Sequence, residues 1–256
     1  MKAMRSTKAI QKLNLHSNLS YDVTDLGFYK FGLSLKTLST LQDLSLDFYQ
    51  YYLNKFSTEG LFHLCYGLKR LHFLKKFFLK FGRCKRSKNV GFYILGETFK
   101  RFTSLKTFDM RIDLPSERLC TTFCGMKKNK TVPIFGKSFR KHEDPNYMVK
   151  SLKNCHHLQN IEMSFSGNRG IDEKGLSQAL QKLTALRRVY FFFKSWNMTD
   201  NGLLCLSEGL GKLAFLKSLM LDFSQCPDLT NEGVAKAKEA LKKLLLKTKI
   251  LITKRM

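Results

Sequence analysis

The chain predicts an α/β array: short helix-plus-strand units laid side by side around one ribbon-shaped interior. Two observations carry this. From Gly202, apolar residues fall at offsets 1, 4, 8, 11, 14, 17, 19 and 21, as Leu203, Leu206, Leu210, Leu213, Leu216, Leu219, Leu221 and Phe223. The early offsets keep to one face of a helix, and the last three alternate as one face of a strand does. The same offsets then recur elsewhere. From Gly27 they give Phe28, Phe31, Leu35, Leu38, Leu41, Leu44, Leu46 and Phe48; from Gly60, Leu61, Leu64, Leu68, Leu71, Leu74, Phe77, Leu79 and Phe81. From Gly91 they give Phe92, Leu95, Phe99, Phe102, Leu105, Phe108, Met110 and Ile112. Elements this short cannot bury such faces alone, so each unit needs a neighbour of its own kind.

Taken in order, the chain is read as a single array over residues 1–256. Residues 1–18 form a partial first unit, with Ile10, Leu13 and Leu15 at offsets 14, 17 and 19. That leaves open whether the chain is part of a longer protein. The step from Gly27 to Gly60 is 33 residues and from Gly60 to Gly91 it is 31, but from Gly91 to Gly175 it is 84. Counting back from Ile161, Met163 and Phe165 places a hidden unit between, with Leu158, Cys155, Leu152 and Met148 at its helical offsets and Asp144 in the place of Gly. The remaining 22 residues make an insertion within about 113–140, and insertions in such arrays project as loops. Gly175 opens a shorter unit ending on Val189, Phe191 and Phe193, and Gly233 a last one ending on Ile250 and Ile252.

Before five of the Gly-led helices stands an apolar residue and then a small polar one: Val23-Thr24, Phe56-Ser57, Ile171-Asp172, Met198-Thr199 and Leu229-Thr230. The polar residues are expected as N-caps, accepting free amides of the first turn. The Gly three residues later costs helix propensity. The expectation is that it permits close backbone approach to the next unit.

Hydrophobic residues make up 43% of the chain, which is too many for a disordered segment. No run of about twenty apolar residues suggests a membrane span, and the basic start lacks the apolar core of a secretion signal. Seven scattered cysteines point to a reduced, intracellular and cytoplasmic protein rather than a disulfide framework. The formal charge of +25 favours acidic proteins, polyanions or anionic membranes as partners.

A unit of about 28–31 residues carrying L-x-x-L-x-x-L-x-L resembles the leucine-rich repeat, and its helix resembles the ribonuclease-inhibitor-like class. The Phe- and Lys-rich wording also resembles the large repeat families of ciliates. The resemblance implies a solenoid of about seven to eight units, with parallel strands on a concave face and helices on a convex one. One feature departs from the family. It usually places Asn or Cys three positions after the second strand leucine. Those positions here hold Tyr49, Gly82, Ser166 and Ser224, with Cys84, Asn168, Trp196 and Cys226 two residues later.

On that architecture, offsets 18 and 20 face away from the helices. The expected partner-binding residues are Asp47, Phe78, Lys80, Asp109, Arg111, Glu162, Tyr190, Phe192, Met220 and Asp222. Phe78, Arg111, Tyr190 and Phe192 are the expected anchors, because exposed aromatics in a row suit a protein partner. A merely solvated strand face is the alternative. Elsewhere, Lys69, Arg70, Lys75, Lys76, Lys80, Arg83, Lys85, Arg86 and Lys88 crowd 20 residues without an acid. They could hold nucleic acid or another polyanion, or be ordinary solvated charge in a Lys-rich chain, as further lysines on other helices suggest.

Cys120-x-x-x-Cys124 with His142, Cys155, His156 and His157 has poor spacing for zinc, so neither metal nor cofactor is expected. The chain holds no P-loop, G-x-S-x-G or H-E-x-x-H motif. The reading is therefore non-enzymatic: a scaffold binding a protein on the concave face. The alternatives are a basic nucleic-acid or polyanion module and a regulatory adaptor, either GTPase-activator-like or a ubiquitin-ligase substrate adaptor. No F-box-like helical segment precedes the repeats.

Overall fold

The residue before each helix sets its start. Thr24, Thr199 and Thr230 accept the amides of Gly27, Gly202 and Gly233 through Oγ1 at 3.2, 3.1 and 3.0 Å. Each therefore acts as the expected N-cap. Ser57 caps one residue earlier, accepting from Glu59 N at 3.1 Å. Asp172 lies outside the described residues. The structure is a computed structural model. It describes residues 10–16, 24–48, 57–81, 90–113, 151–152, 155–166, 173–194, 197–245 and 249–253. Most of the expected insertion, and Asp144 and Met148 of the hidden unit, lie outside them.

Among the described residues the helices are α1 (Asp25–Leu35), α2 (Thr58–Leu68), α3 (Val90–Phe99), α4 (Glu173–Gln181), α5 (Asp200–Gly211), α6 (Asn231–Ala240) and the single turn α7 (Lys242–Leu245). The strands are β1 (Lys12–His16), β2 (Asp43–Phe48), β3 (Lys76–Phe81), β4 (Thr107–Asp113), β5 (Asn160–Ser166), β6 (Arg188–Lys194), β7 (Ser218–Asp222) and β8 (Lys249–Thr253). They form one sheet in chain order, and every neighbouring pair is parallel. The sheet is open, and helices pack against helices of the adjacent units. This is a leucine-rich-repeat-like α/β solenoid. Parallel strands need a crossover of a dozen residues or more, and here a helix supplies it.

The register keeps each offset in line through the sheet. Leu13, Leu44, Phe77, Phe108, Ile161, Val189, Leu219 and Ile250 form one ladder position. From Leu44 to Leu219 these side chains are buried, and the edge residues Leu13 and Ile250 are half-buried. The hidden unit is in place as well, since Leu152, Cys155, Leu158, Ile161 and Met163 are all buried. Rings run through this interior, with Phe193 stacked on Phe223 at 5.2 Å and Phe48 on Phe81 at 5.5 Å.

The expectation for the early helix glycines is corrected. A Cβ on Gly233 would lie 2.0 Å from Asp200 Oδ1, and one on Gly202 would lie 2.7 Å from Glu173 Cγ. The space is taken by a side chain of the preceding unit, not by backbone of the next one. That side chain has a purpose. Asp200 Oδ1 accepts Thr230 N at 2.8 Å, and Oδ2 accepts Thr230 Oγ1 at 2.6 Å. Asp25 does the same for Ser57 N and Oγ at 2.9 and 2.7 Å, and accepts Gly60 N at 3.0 Å. One helix's first-turn acid thus caps the next helix, which interlocks the units.

Close backbone approach does occur, at a different offset. A Cβ on Gly32 would lie 2.1 Å from His63 O, and one on Gly67 2.4 Å from Gly32 O. Seven residues after Gly27, Gly60, Gly91, Asp144 and Gly202 the chain places Ser34, Gly67, Thr98, Ser151 and Gly209, all buried, whereas the same offset from Gly175 and Gly233 gives the exposed Lys182 and the half-buried Ala240. Small size is what these helix-to-helix positions share.

The departure from the repeat pattern also has a structural account. Cys226 is buried and its Sγ donates to Phe193 O at 3.1 Å, closing the end of the preceding unit's strand. Gln225 just before it has φ 61°, a left-handed conformation that costs a non-glycine residue energy. The carbonyl partner therefore arrives two residues late, on a differently shaped loop.

Candidate functional site

The side of the sheet away from the helices is built by the residues between the buried ones. Two rows cross it, both fixed by the parallel register. The first runs Asn14, Ser45, Phe78, Asp109, Glu162, Tyr190, Met220 and Leu251, and the second His16, Asp47, Lys80, Arg111, Ser164, Phe192, Asp222 and Thr253. All ten residues expected from the sequence therefore stand on one face. Each is half-buried.

The centre of the face is an ion cluster. Arg111 donates through Nε and Nη2 to the two carboxylate oxygens of Asp109, both at 3.3 Å, and Nη2 donates to Glu162 Oε1. Its guanidinium carbon lies 5.9 Å from the centre of the Phe78 ring, close enough for a cation–π contact. Burial pushes the Asp109 carboxyl above its ordinary range, against the hydrogen bond and charge of Arg111 and the charge of Lys80. Burial likewise raises Glu162, with help from the Asp109 charge and opposition from Arg111. For Arg111, burial works against its charge, but the bond to Asp109 and the fields of Asp109, Glu162 and Asp47 outweigh it, so its pKa rises. Toward the first strand, His16 Nδ1 stands 3.2 Å from Asp47 Oδ2.

Beyond Glu162 the face changes. Tyr190 and Phe192 of β6, Met220 of β7 and Leu251 of β8 bring apolar surface to the same side. The Tyr190 hydroxyl is 3.0 Å from Ser218 Oγ, which ties the ring down. Asp222 holds its own loop, since its Oδ1 accepts Ser224 N at 2.9 Å and Ser224 Oγ at 2.5 Å. Leu251, 43% exposed, is absent from the ten expected residues. Its signal was available, because Ile250 and Ile252 take the inward offsets and Leu251 lies between them.

Of the basic run, Arg70, Lys75 and Lys76 are exposed and Lys69 is half-buried, while Lys80 belongs to the open face. Arg83, Lys85, Arg86 and Lys88 lie outside the described residues, as do Cys120, Cys124 and His142. Cys155 is unsuited to metal ligation. Burial pushes its thiol up to about 12, and its Sγ donates to Phe102 O at 3.2 Å. No group of three or more His, Cys, Asp or Glu among the described residues could hold a metal ion. No described helix is long and apolar enough to cross a membrane.

The fold and face define a repeat solenoid with an open sheet surface. No protein-family model matches the chain, and no curated protein matches it in sequence. Among solved structures, it is similar to the actin-binding site 2 fragment of leiomodin-1, at 12% identity and TM-score 0.42, over 72% of this chain and 85% of that one. It is also compared with a leucine-rich-repeat protein of Leptospira interrogans, at 11% identity and TM-score 0.18, over 95% and 90% of the two chains. Both likenesses are distant, and the description of the fold rests on the strand order and register of this chain.

Proposed function

We propose that the chain is a non-catalytic scaffold that binds a protein partner on the open face of its sheet. The observation that carries this is the apolar end of the face: Tyr190, Phe192, Met220 and Leu251 lie together on β6–β8, pointing away from the core that the inward residues fill. A partner's apolar side chain would seat there, while Arg111, Asp109 and Glu162 would set orientation through charge. The strands hold these groups in fixed register, so little ordering is needed on binding. The helical unit supports assigning the array to the ribonuclease-inhibitor-like class.

The test starts with a photo-crosslinking amino acid at position 192 to capture and identify the partner in native cells. Affinity is then measured for the purified pair with the wild-type chain and with Tyr190→Ala combined with Phe192→Ala. The double substitution is expected to weaken binding on the order of 100-fold, as for two hot-spot residues, with an unchanged melting temperature. Equal affinity of the two chains would refute the assignment.

A further inference from the structure

Each unit turns from helix to strand at the same rim of the array, because the strands are parallel and follow chain order. Two sets of cations occupy this rim. Lys36, Lys69, Lys100, Lys182 and Lys212 immediately follow their helices. A cation there meets the negative end of the helix dipole, so local structure accounts for this set.

The second set has no such local role. Lys75, Lys106, Arg187 and Lys217 each precede a strand, and all four are exposed. Their backbones continue the sheet: Lys106 N donates to Lys75 O at 2.7 Å, and Lys217 N to Arg187 O at 2.8 Å, with Gln159 bridging between Lys106 and Arg187. Lys75 and Lys106, and likewise Arg187 and Lys217, thus sit on neighbouring strands at a backbone spacing of about 4.8 Å, where like charges repel, and Gln159 separates the two pairs. Among the described residues, none of these four has an acid within ion-pair distance. Asp43 is the one acid between a helix end and the first residue of the next strand, again among the described residues. The acids gather at the opposite rim, where Asp25, Glu59, Glu173, Asp200 and Glu232 occupy first helical turns. Between the two cation sets stand Phe73 and Phe215, 62% and 64% exposed.

We propose that this helix-to-strand rim binds single-stranded nucleic acid. Phosphates lie along the ladder of Lys75, Lys106, Arg187 and Lys217, and bases stack on Phe73 and Phe215. A line of cations with rings set in it suits a linear polyanion whose bases are free to splay. A bilayer would ask for a broad apolar face behind the charge, and a duplex keeps its bases stacked away from such rings. The surface is separate from the open face of the sheet, so either assignment can fail without the other.

The experiment is fluorescence anisotropy of the full chain with a labelled uridine oligomer of about 20 nucleotides, repeated across salt concentrations, with melting curves for every variant. Lys75→Glu, Lys106→Glu and Lys217→Glu together are expected to weaken binding at least about 100-fold and to reduce the salt slope by about two. Lys30→Glu, Lys174→Glu and Lys236→Glu make the same change in charge on helix surfaces away from the rim and are expected to cost less than about threefold. Phe73→Ala with Phe215→Ala is expected to weaken the uridine oligomer about tenfold or more and leave heparin, which has no bases, unaffected. Equal losses from the two charge-reversal triples would overturn the proposal in favour of net charge alone. Capture by phosphatidylserine vesicles without oligomer binding would overturn it in favour of a membrane surface, and no binding to any of these probes would remove it.

Discussion

The ion-paired half of the open face, from His16 to Glu162, and the apolar half, from Tyr190 to Leu251, use the same backbone register and differ in what the partner-free protein does with its side chains. In the first half the polar groups satisfy one another: His16 with Asp47, and Arg111 with Asp109, Glu162 and the Phe78 ring. In the second half the rings and aliphatic groups have no equivalent mutual saturation, and only the Tyr190 hydroxyl is tied to a neighbour's side chain at Ser218 among them. A repeat backbone therefore sets where side chains stand, and the outward residues decide whether a stretch of face is closed upon itself or open to a partner.

That contrast can be broken in several ways, beginning with the largest effect. Phe191 and Phe192 are adjacent on β6 and point to opposite sides, and Phe191 is fully buried. Phe191→Ala is expected to cost about 3–5 kcal/mol, and Phe192→Ala less than about 0.5 kcal/mol, by chemical denaturation. Similar costs would mean that Phe192 is a core residue and the apolar half is not free for binding.

Arg111→Ala tests the closed half. It leaves Asp109 and Glu162 half-buried and without their cation. The expected cost at neutral pH is about 1–2 kcal/mol, discounted because the Arg111 side chain is 43% exposed. The loss should shrink in acid, where both carboxyls take up protons. The unit interlocks should instead contribute in both halves. Asp25→Ala removes bonds to Ser57 and to the helix amide of Gly60 and is expected to cost about 1–2 kcal/mol, and Asp200→Ala removes more exposed bonds to Thr230 and is expected to cost about 1 kcal/mol in melting or denaturation curves. No loss at either site would show that the units are not interlocked through these acids.

The smallest effect is in pH. Asp109 and Glu162 have folded pKa values raised above the ordinary 3.8 and 4.5, so the native state binds more protons than the unfolded chain just above those values. Their contribution to stability is therefore fully present below the ordinary values and is lost as pH rises through the raised ones. Asp109→Asn should flatten this fall in stability measured against pH. An unchanged slope would argue that the cluster is well solvated.

Much of this fold was legible in the chain. The residues at the repeated offsets from Gly27, Gly60 and Gly202 are all buried, because burial selects large apolar side chains and leaves a visible period. The hidden unit before Ile161 was legible for the same reason. The role of the leading Gly was read wrongly, since a missing side chain records that space is needed but not what fills it. The close helix contacts at Gly32 and Gly67 were missed because small residues carry no hydropathy signal. The ten outward positions could be counted off the strands, but the pairing of Arg111 with Asp109 and Glu162 could not. Asp109 is only two residues from Arg111 on one strand, but Glu162 is 51 away, across an irregular step in the repeat.

The sequence by itself determined the unit, its helix and strand, and which side of each faces inward, since apolar spacing is a local property that each segment declares alone. Only the tertiary structure decided which outward side chains meet. Parallel stacking brings distant residues into adjacent rungs, and it is there that charges find partners, thiols find carbonyls, and a row of lysines and an arginine comes to share one rim.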